Sequence, residues 1–240
     1  MHATESKKKN SFITILSVKG TLLLIGLNIF VYYWGSRAFI SADFFSSYAL
    51  TPYTFFTEHE FWRLFTTGFL HTNLKHLIFN MIGLLAFGSI VEKKLGFFKF
   101  AFIYISALII SMGVSLGLYT YVLDQNVMIV GASGAIMGLL SAAMLLAPFE
   151  ISYELLLPIP VMFKAWLFFY ADIKGFLGGE TDGISHLAHL VGFFSITVIT
   201  YFLDTKDKKA IMNGLVINVC TFLVLAYAYM RLSAQGTIFP

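Results

Sequence analysis

Three short polar runs stand out in this sequence. HTNLKHLIFN carries His71, His76 and Asn80, GASG carries Ser133, and ISHLAHLVG carries His186 and His189. A serine hydroxyl is a poor nucleophile until a base takes its proton, and a neutral imidazole suits that task near pH 7. Ser133 is therefore the candidate nucleophile and His189 its base. An attacked carbonyl develops negative charge that needs preorganised donors. A helix starting at Ser133 would offer its free N–H groups, and Gly131 and Gly134 let the backbone approach closely. His76 and Asn80, one turn apart on one face, would add side-chain donors. No Asp or Glu occurs from Ile184 to Leu203, so no local acid is expected to orient the base. The pattern predicts a serine–histidine dyad.

Taken singly, each residue has a simpler explanation. Ser133 could only cap its helix. Gly134 and Gly138 form a small-xxx-small pair that serves close helix packing, and Gly138 is assigned wholly to that role. His186 is read as a hydrogen-bonded helix-contact histidine, and His71 as an interfacial group satisfied by water. His76, His186 and His189 together could hold a metal, but there is no H-E-x-x-H and no acidic ligand is expected nearby. No metal and no cofactor are predicted.

The elements carrying these residues follow from composition. Hydrophobic residues make up 58% of 240 residues and charged residues 12%, with 26 Phe and 12 Tyr. A water-facing globule of this size usually devotes about a quarter of its residues to charge. The chain is thus an integral membrane protein. The net charge of +3 and the lack of a basic, aromatic-interleaved surface give nucleic-acid binding no support, and Cys220, the sole cysteine, has no intrachain partner. Tyr32, Tyr33 and Trp34 stand where a cleaved leader would need small residues, so the first apolar run is read as an uncleaved helix.

A helix needs about 20 apolar residues to cross a ~30 Å hydrocarbon core. Seven spans are predicted: about Val18 to Trp34, Lys75 to Glu92, Lys99 to Asp124, the later part of Gln125 to Phe149, Pro160 to Asp172, Ile184 to Leu203, and Ala210 to Met230. Lys19 and Lys164 are expected to snorkel. With the N-terminus in the cytoplasm, eleven of the 16 basic residues fall inside and five outside, as the positive-inside rule asks. The even-numbered helices then descend from the outer face, and all three polar sets lie near their starts. His189, seven residues beyond Asp182, lies roughly 10 Å below that face. Agreement in side and depth points to one site.

The connection from Arg37 to Asn73 is rich in aromatics and carries charges, so it is expected to lie partly in the interface without crossing. Residues 1–17 form a cytoplasmic tail. Residues 18–203 form a six-helix catalytic domain, and residues 204–240 form a connector, a seventh helix as an appendage, and a short external tail.

WRLFTTGFLHTNLKHLIFNMIGLLAFGSIVEKKLG, GASGAIMGLLSA, a Pro-Ile-Pro stretch and HLAHLVG stand in the order seen in rhomboid intramembrane serine proteases, which the chain resembles from about Val18 to Leu203. The resemblance implies an all-α polytopic fold, a rhomboid-like six-helix bundle plus one C-terminal transmembrane helix, as in bacterial members. It matches the family's catalytic dyad to Ser133 and His189, the latter chosen over His186 because Leu190-Val191-Gly192 follows it. It matches the oxyanion-stabilising pair to His76 and Asn80, and a structural tryptophan–arginine pair to Trp62 and Arg63. Four residues after the serine the family commonly has an aromatic that packs on the catalytic histidine, where this chain has Met137.

The expected activity is therefore cleavage of single-span or other transmembrane protein substrates in or near the membrane, amid membrane lipids, in a bacterial inner membrane. Substrate would approach laterally past the fifth helix, with the connection before Ile184 as a cap. The polar start of the second helix would be the water route. A non-catalytic rhomboid-like client-binding protein is one rival. A small transporter is the other, although it would want paired charges or inverted repeats, and neither is present.

Overall fold

The computed structural model describes residues 18–37, 42–152, 158–178, 185–199 and 202–234. The N-terminal tail, the connection expected to act as a cap and the end of the C-terminal tail lie outside these. Helix α1 (Lys19–Arg37) is followed by three short helices, α2 (Ala42–Tyr48), α3 (Pro52–Phe56) and α4 (Arg63–Thr66). Then come α5 (Leu74–Leu95), α6 (Phe97–Tyr121), α7 (Ser133–Leu146), α8 (Val161–Gly178), α9 (His186–Ile199) and α10 (Thr205–Ala234). A two-stranded antiparallel ribbon, β1 (Ile151–Ser152) with β2 (Ile159–Pro160), joins α7 to α8.

A helix stands at each of the seven expected places. Among the described residues, three are long and apolar enough to cross a membrane: α5, α6 and Thr205–Ala228 of α10. Helices α7 and α9 are apolar but have 14 residues each. At ~1.5 Å per residue that is roughly 21 Å, short of a ~30 Å core. Helix α7 does not need the full length, because every residue from Gly134 to Leu145 is buried by neighbouring protein. A helix apolar all round belongs in the middle of a bundle.

Small residues let the other helices close on α7. A Cβ built on Gly192 of α9 would overlap the carbonyl oxygen of Gly134, and one on Gly214 of α10 would overlap that of Leu145. Gly138 faces Ala107 of α6 and Ser195 of α9, in keeping with a packing role. Asn218 of α10 donates its amide to the Met144 carbonyl at 3.2 Å, so the seventh helix docks on the end of α7. Lys99 of α6 forms ion pairs with Asp204, at 2.7 Å, and with Asp207 at the start of α10. Lys164, expected to snorkel, is instead buried: α8 lays that face against the core.

The connection from α1 to α5 makes short helices of at most seven residues, too short to cross, and leaves Tyr53, Phe61, Trp62 and Phe65 exposed. Helix α1 is fixed by one carboxylate. Buried Glu92, near the end of α5, accepts from the backbone N–H groups of Gly20 and Thr21 and from the Thr21 hydroxyl, each at 2.8 Å. These N–H groups lie in the first turn of α1, where no intrahelical acceptor exists. Glu92→Gln removes a charged acceptor from the buried cap and is expected to cost about 2 kcal/mol. Thermal unfolding in detergent measures this, and an unchanged midpoint would show that the cap adds nothing.

Candidate active site

The loop entering α7 is pinned by the connection between α1 and α5. Thr67 Oγ1 donates to the Ile129 carbonyl in a short hydrogen bond and accepts from the Leu50 N–H at 3.2 Å. The Thr67 carbonyl accepts from the Gly131 N–H at 3.0 Å, and Leu50 and Ile129 form an antiparallel bridge. Buried Arg63 braces the same connection by donating to the carbonyls of Ser46 and Ala49 at 2.6 and 3.0 Å, while Glu60 neutralises it at 2.5 Å. Its guanidinium also lies over the Trp62 ring at 4.9 Å, a scaffold role for this pair. The outcome is felt at Gly131, whose φ of +113° is a conformation few L side chains adopt. Ser133 then begins α7 behind Ala132, and no side chain caps the helix.

Helix α5 brings the donors. Asn73 caps it by accepting from the His76 N–H at 2.9 Å. The His76 ring lies against Gly131, where an added Cβ would stand 2.8 Å from Nε2 and 3.7 Å from Asn80 Nδ2. Asn80 is buried, and its Nδ2 has no partner among the described residues. His71, expected to be interfacial and water-satisfied, is instead 3% exposed, with its ring 5.0 Å from that of His76. Its Nδ1 donates to the Phe69 carbonyl at 3.3 Å.

The largest departure from expectation concerns His189. Asp172, assigned to the end of the fifth span, lies inside α8, which runs on to Gly178. It is buried, and its Oδ1 accepts from Nδ1 of His189 and from Nδ1 of His186, both at 2.9 Å. The expectation that no acid would stand near these histidines is therefore wrong. Helix α9 carries no acid of its own, and the antiparallel α8 supplies the carboxylate. The three ligand atoms lie within 4.8 Å of one another, so the acidic group that a metal site would want is also present. His186 is a helix-contact residue, its ring filling the place a Cβ on Gly175 of α8 would take. An acid in an apolar segment was the signal in the sequence, since such groups face protein or water.

The starts of α5, α7 and α9 meet here. Gly134 touches Ala188 and Gly192 of α9, placing Ser133 and His189 next to that contact, both half-buried. His76 lies within electrostatic reach of His189. Among the described residues no hydrogen bond joins Ser133 to His189, whose Nδ1 is engaged by Asp172.

An apolar helical bundle with serine, histidine and amide groups gathered at three helix starts defines a membrane protein with a buried polar site. The sequence model of the Rhomboid domain matches residues 58–206, more than half of the chain, and the chain belongs to the rhomboid family. It is 30% identical over 151 residues to a Bacillus subtilis (strain 168) protein named "Putative rhomboid protease YdcA", covering 62% of this chain and 70% of that one. It is 29% identical over 178 residues to Rhomboid-related protein 1 of Caenorhabditis elegans, covering 70% of this chain but 47% of that protein. Rhomboid protease GluP of Bacillus subtilis is 36% identical over 90 residues, 38% of this chain and 17% of its own.

Burial, reinforced by neighbouring His76, pushes the His71 imidazole down to about 4. Below the ordinary value near 6.5 the unfolded chain takes up a proton that the folded protein refuses. Stability is therefore expected to fall as pH drops from about 6.5 toward 4, by up to roughly 3 kcal/mol. Thermal unfolding against pH checks this, and His71→Gln should flatten that limb.

Proposed function

We propose that this protein is an intramembrane serine endopeptidase with Ser133 as nucleophile and His189 as general base. The observation that carries the reading is the buried Asn80 amide beside Gly131 and His76, with no partner among the described residues. A buried donor without an acceptor is costly, and a developing oxyanion would satisfy it. The uncapped first turn of α7 adds backbone N–H groups at the same place. Thr72 Oγ1 and His76 Nδ1 are hydrogen-bonded at 3.3 Å; in the tautomer that accepts at Nδ1, the Nε2–H faces the Gly131 side.

Ser133 would attack the scissile carbonyl as His189 Nε2 takes its proton. His189 would then return that proton to the leaving amine, and water would hydrolyse the acyl-enzyme by the same steps reversed in role. The relatives named as proteases support this chemistry. The reading extends to a six-plus-one bundle in a bacterial inner membrane, N-terminus cytoplasmic and C-terminus external, acting on transmembrane protein substrates.

Ser133→Ala and His189→Ala are each expected to abolish cleavage of a single-span substrate by purified protein in detergent, with folding unchanged. Fluorophosphonate should label Ser133 in the wild type. No cleavage together with no labelling would favour the client-binding alternative. Substrate would pass between α5 and α8, whose Phe87 and Phe168 rings meet at 6.5 Å. A disulfide locking α8 to α5 should suppress cleavage of membrane substrates, and undiminished turnover would remove that route.

A further inference from the structure

A carboxylate can only accept hydrogen bonds. The two 2.9 Å contacts to Asp172 Oδ1 therefore place a hydrogen on Nδ1 of both His186 and His189. For neutral His189 that leaves the lone pair on Nε2, the nitrogen free to face the start of α7. We propose that Asp172 is a positioning residue that fixes the tautomer and ring orientation of His189, with His186 fixing Asp172 in turn. The arrangement is a Ser133–His189–Asp172 relay whose acid comes from α8. It rests on the roles proposed above for Ser133 and His189.

The geometry supports this on two counts. Asp172 is 5% exposed, so its orientation is set by protein and not by solvent. His186 is itself immobilised, because its ring occupies the space Gly175 leaves open on the same helix as Asp172. The carboxylate is thus held by a second donor that is locked to α8 and is not itself the base.

The chemistry balances without moving a proton to Asp172. As the bond from Ser133 Oγ to the carbonyl carbon forms, the Oγ proton passes to His189 Nε2. The resulting imidazolium keeps its Nδ1–H on Asp172 Oδ1, where the negative carboxylate stabilises it. The Nε2 proton then goes to the leaving nitrogen as the C–N bond breaks. The second N–H, from His186, holds the same Oδ1 in place throughout.

The test uses the full chain in detergent, comparing wild type, Asp172→Asn and Asp172→Glu. Asp172→Asn keeps the shape but removes the charge and can offer an N–H to Nδ1, favouring the wrong tautomer. Its kcat should fall by about 10²–10⁴-fold with KM nearly unchanged. The fluorophosphonate labelling rate constant of Ser133 should fall in parallel, and Asp172→Glu should recover part of both. A merely structural role would lower the folded fraction and the labelling end point, leaving the rate constant of folded molecules intact. Independently of any variant, ¹⁵N-histidine NMR of the wild type should show His189 protonated at Nδ1. Wild-type labelling kinetics in folded Asp172→Asn, or an Nδ1 without hydrogen in the wild type, would overturn the relay alone. A wild type that neither labels nor cleaves would overturn both this proposal and the function it rests on.

Discussion

At the centre of the molecule two helix backbones touch with no side chain between them. Gly192 of α9 lies against the Gly134 carbonyl, and Gly134 lies under Ala188 and beside Ser111. Only residues without a Cβ allow helices to approach so closely, and in a bilayer this packing replaces the hydrophobic drive that water supplies elsewhere. The contact falls in the first turn of α7 and the first two turns of α9. Whatever stands next to it in sequence is thereby brought together, and the neighbours are Ser133 and His189. The same closeness buries α7 so fully that a helix of 14 residues can serve as the core.

A bundle packed this way has little water with which to satisfy polar groups, so each must find its partner in protein. Most do. Glu92 takes up the free N–H groups of α1, Arg63 takes up carbonyls of the long connection, and Thr67 ties Leu50 to Ile129. Asp172 takes two imidazole N–H groups. Like Ser115 Oγ and Asn218 Oδ1, Asn80 Nδ2 has no partner among the described residues. It lies beside Gly131, where the backbone is held at positive φ by a hydrogen bond to the Thr67 carbonyl.

His189 is held by a hydrogen bond to a buried carboxylate. The family resemblance draws attention to Met137, a thioether where an aromatic ring commonly packs on the histidine. Met137 is buried in α7. In this chain a carboxylate contacts His189 from α8, on the ring nitrogen turned away from its proposed task, and His186 stands beside it with ring centroids 6.3 Å apart. A hydrogen bond fixes both the rotation and the tautomer of an imidazole, whereas packing fixes rotation alone.

Much of this was legible in the sequence. Apolar runs bounded by charges placed a helix at each expected position, because burying a charge in hydrocarbon is costly wherever it falls. The three polar motifs and their places at helix starts were equally plain, as was the packing role of Gly138. Three features were not. In the sequence Asp172 marks the end of a span, because an acid next to an apolar run has no visible partner to offset its burial. Lys164 and His71 likewise read as interfacial in the sequence, and both are buried. Apolar periodicity and helix-start chemistry are local, and the sequence determined what they govern: the helices, their order and the residue types offered to the site. Which carboxylate meets which imidazole depends on antiparallel helices laid side by side, with residues 14 and 17 positions apart sharing one oxygen. That pairing is set by packing across helices, so only the tertiary structure decided it.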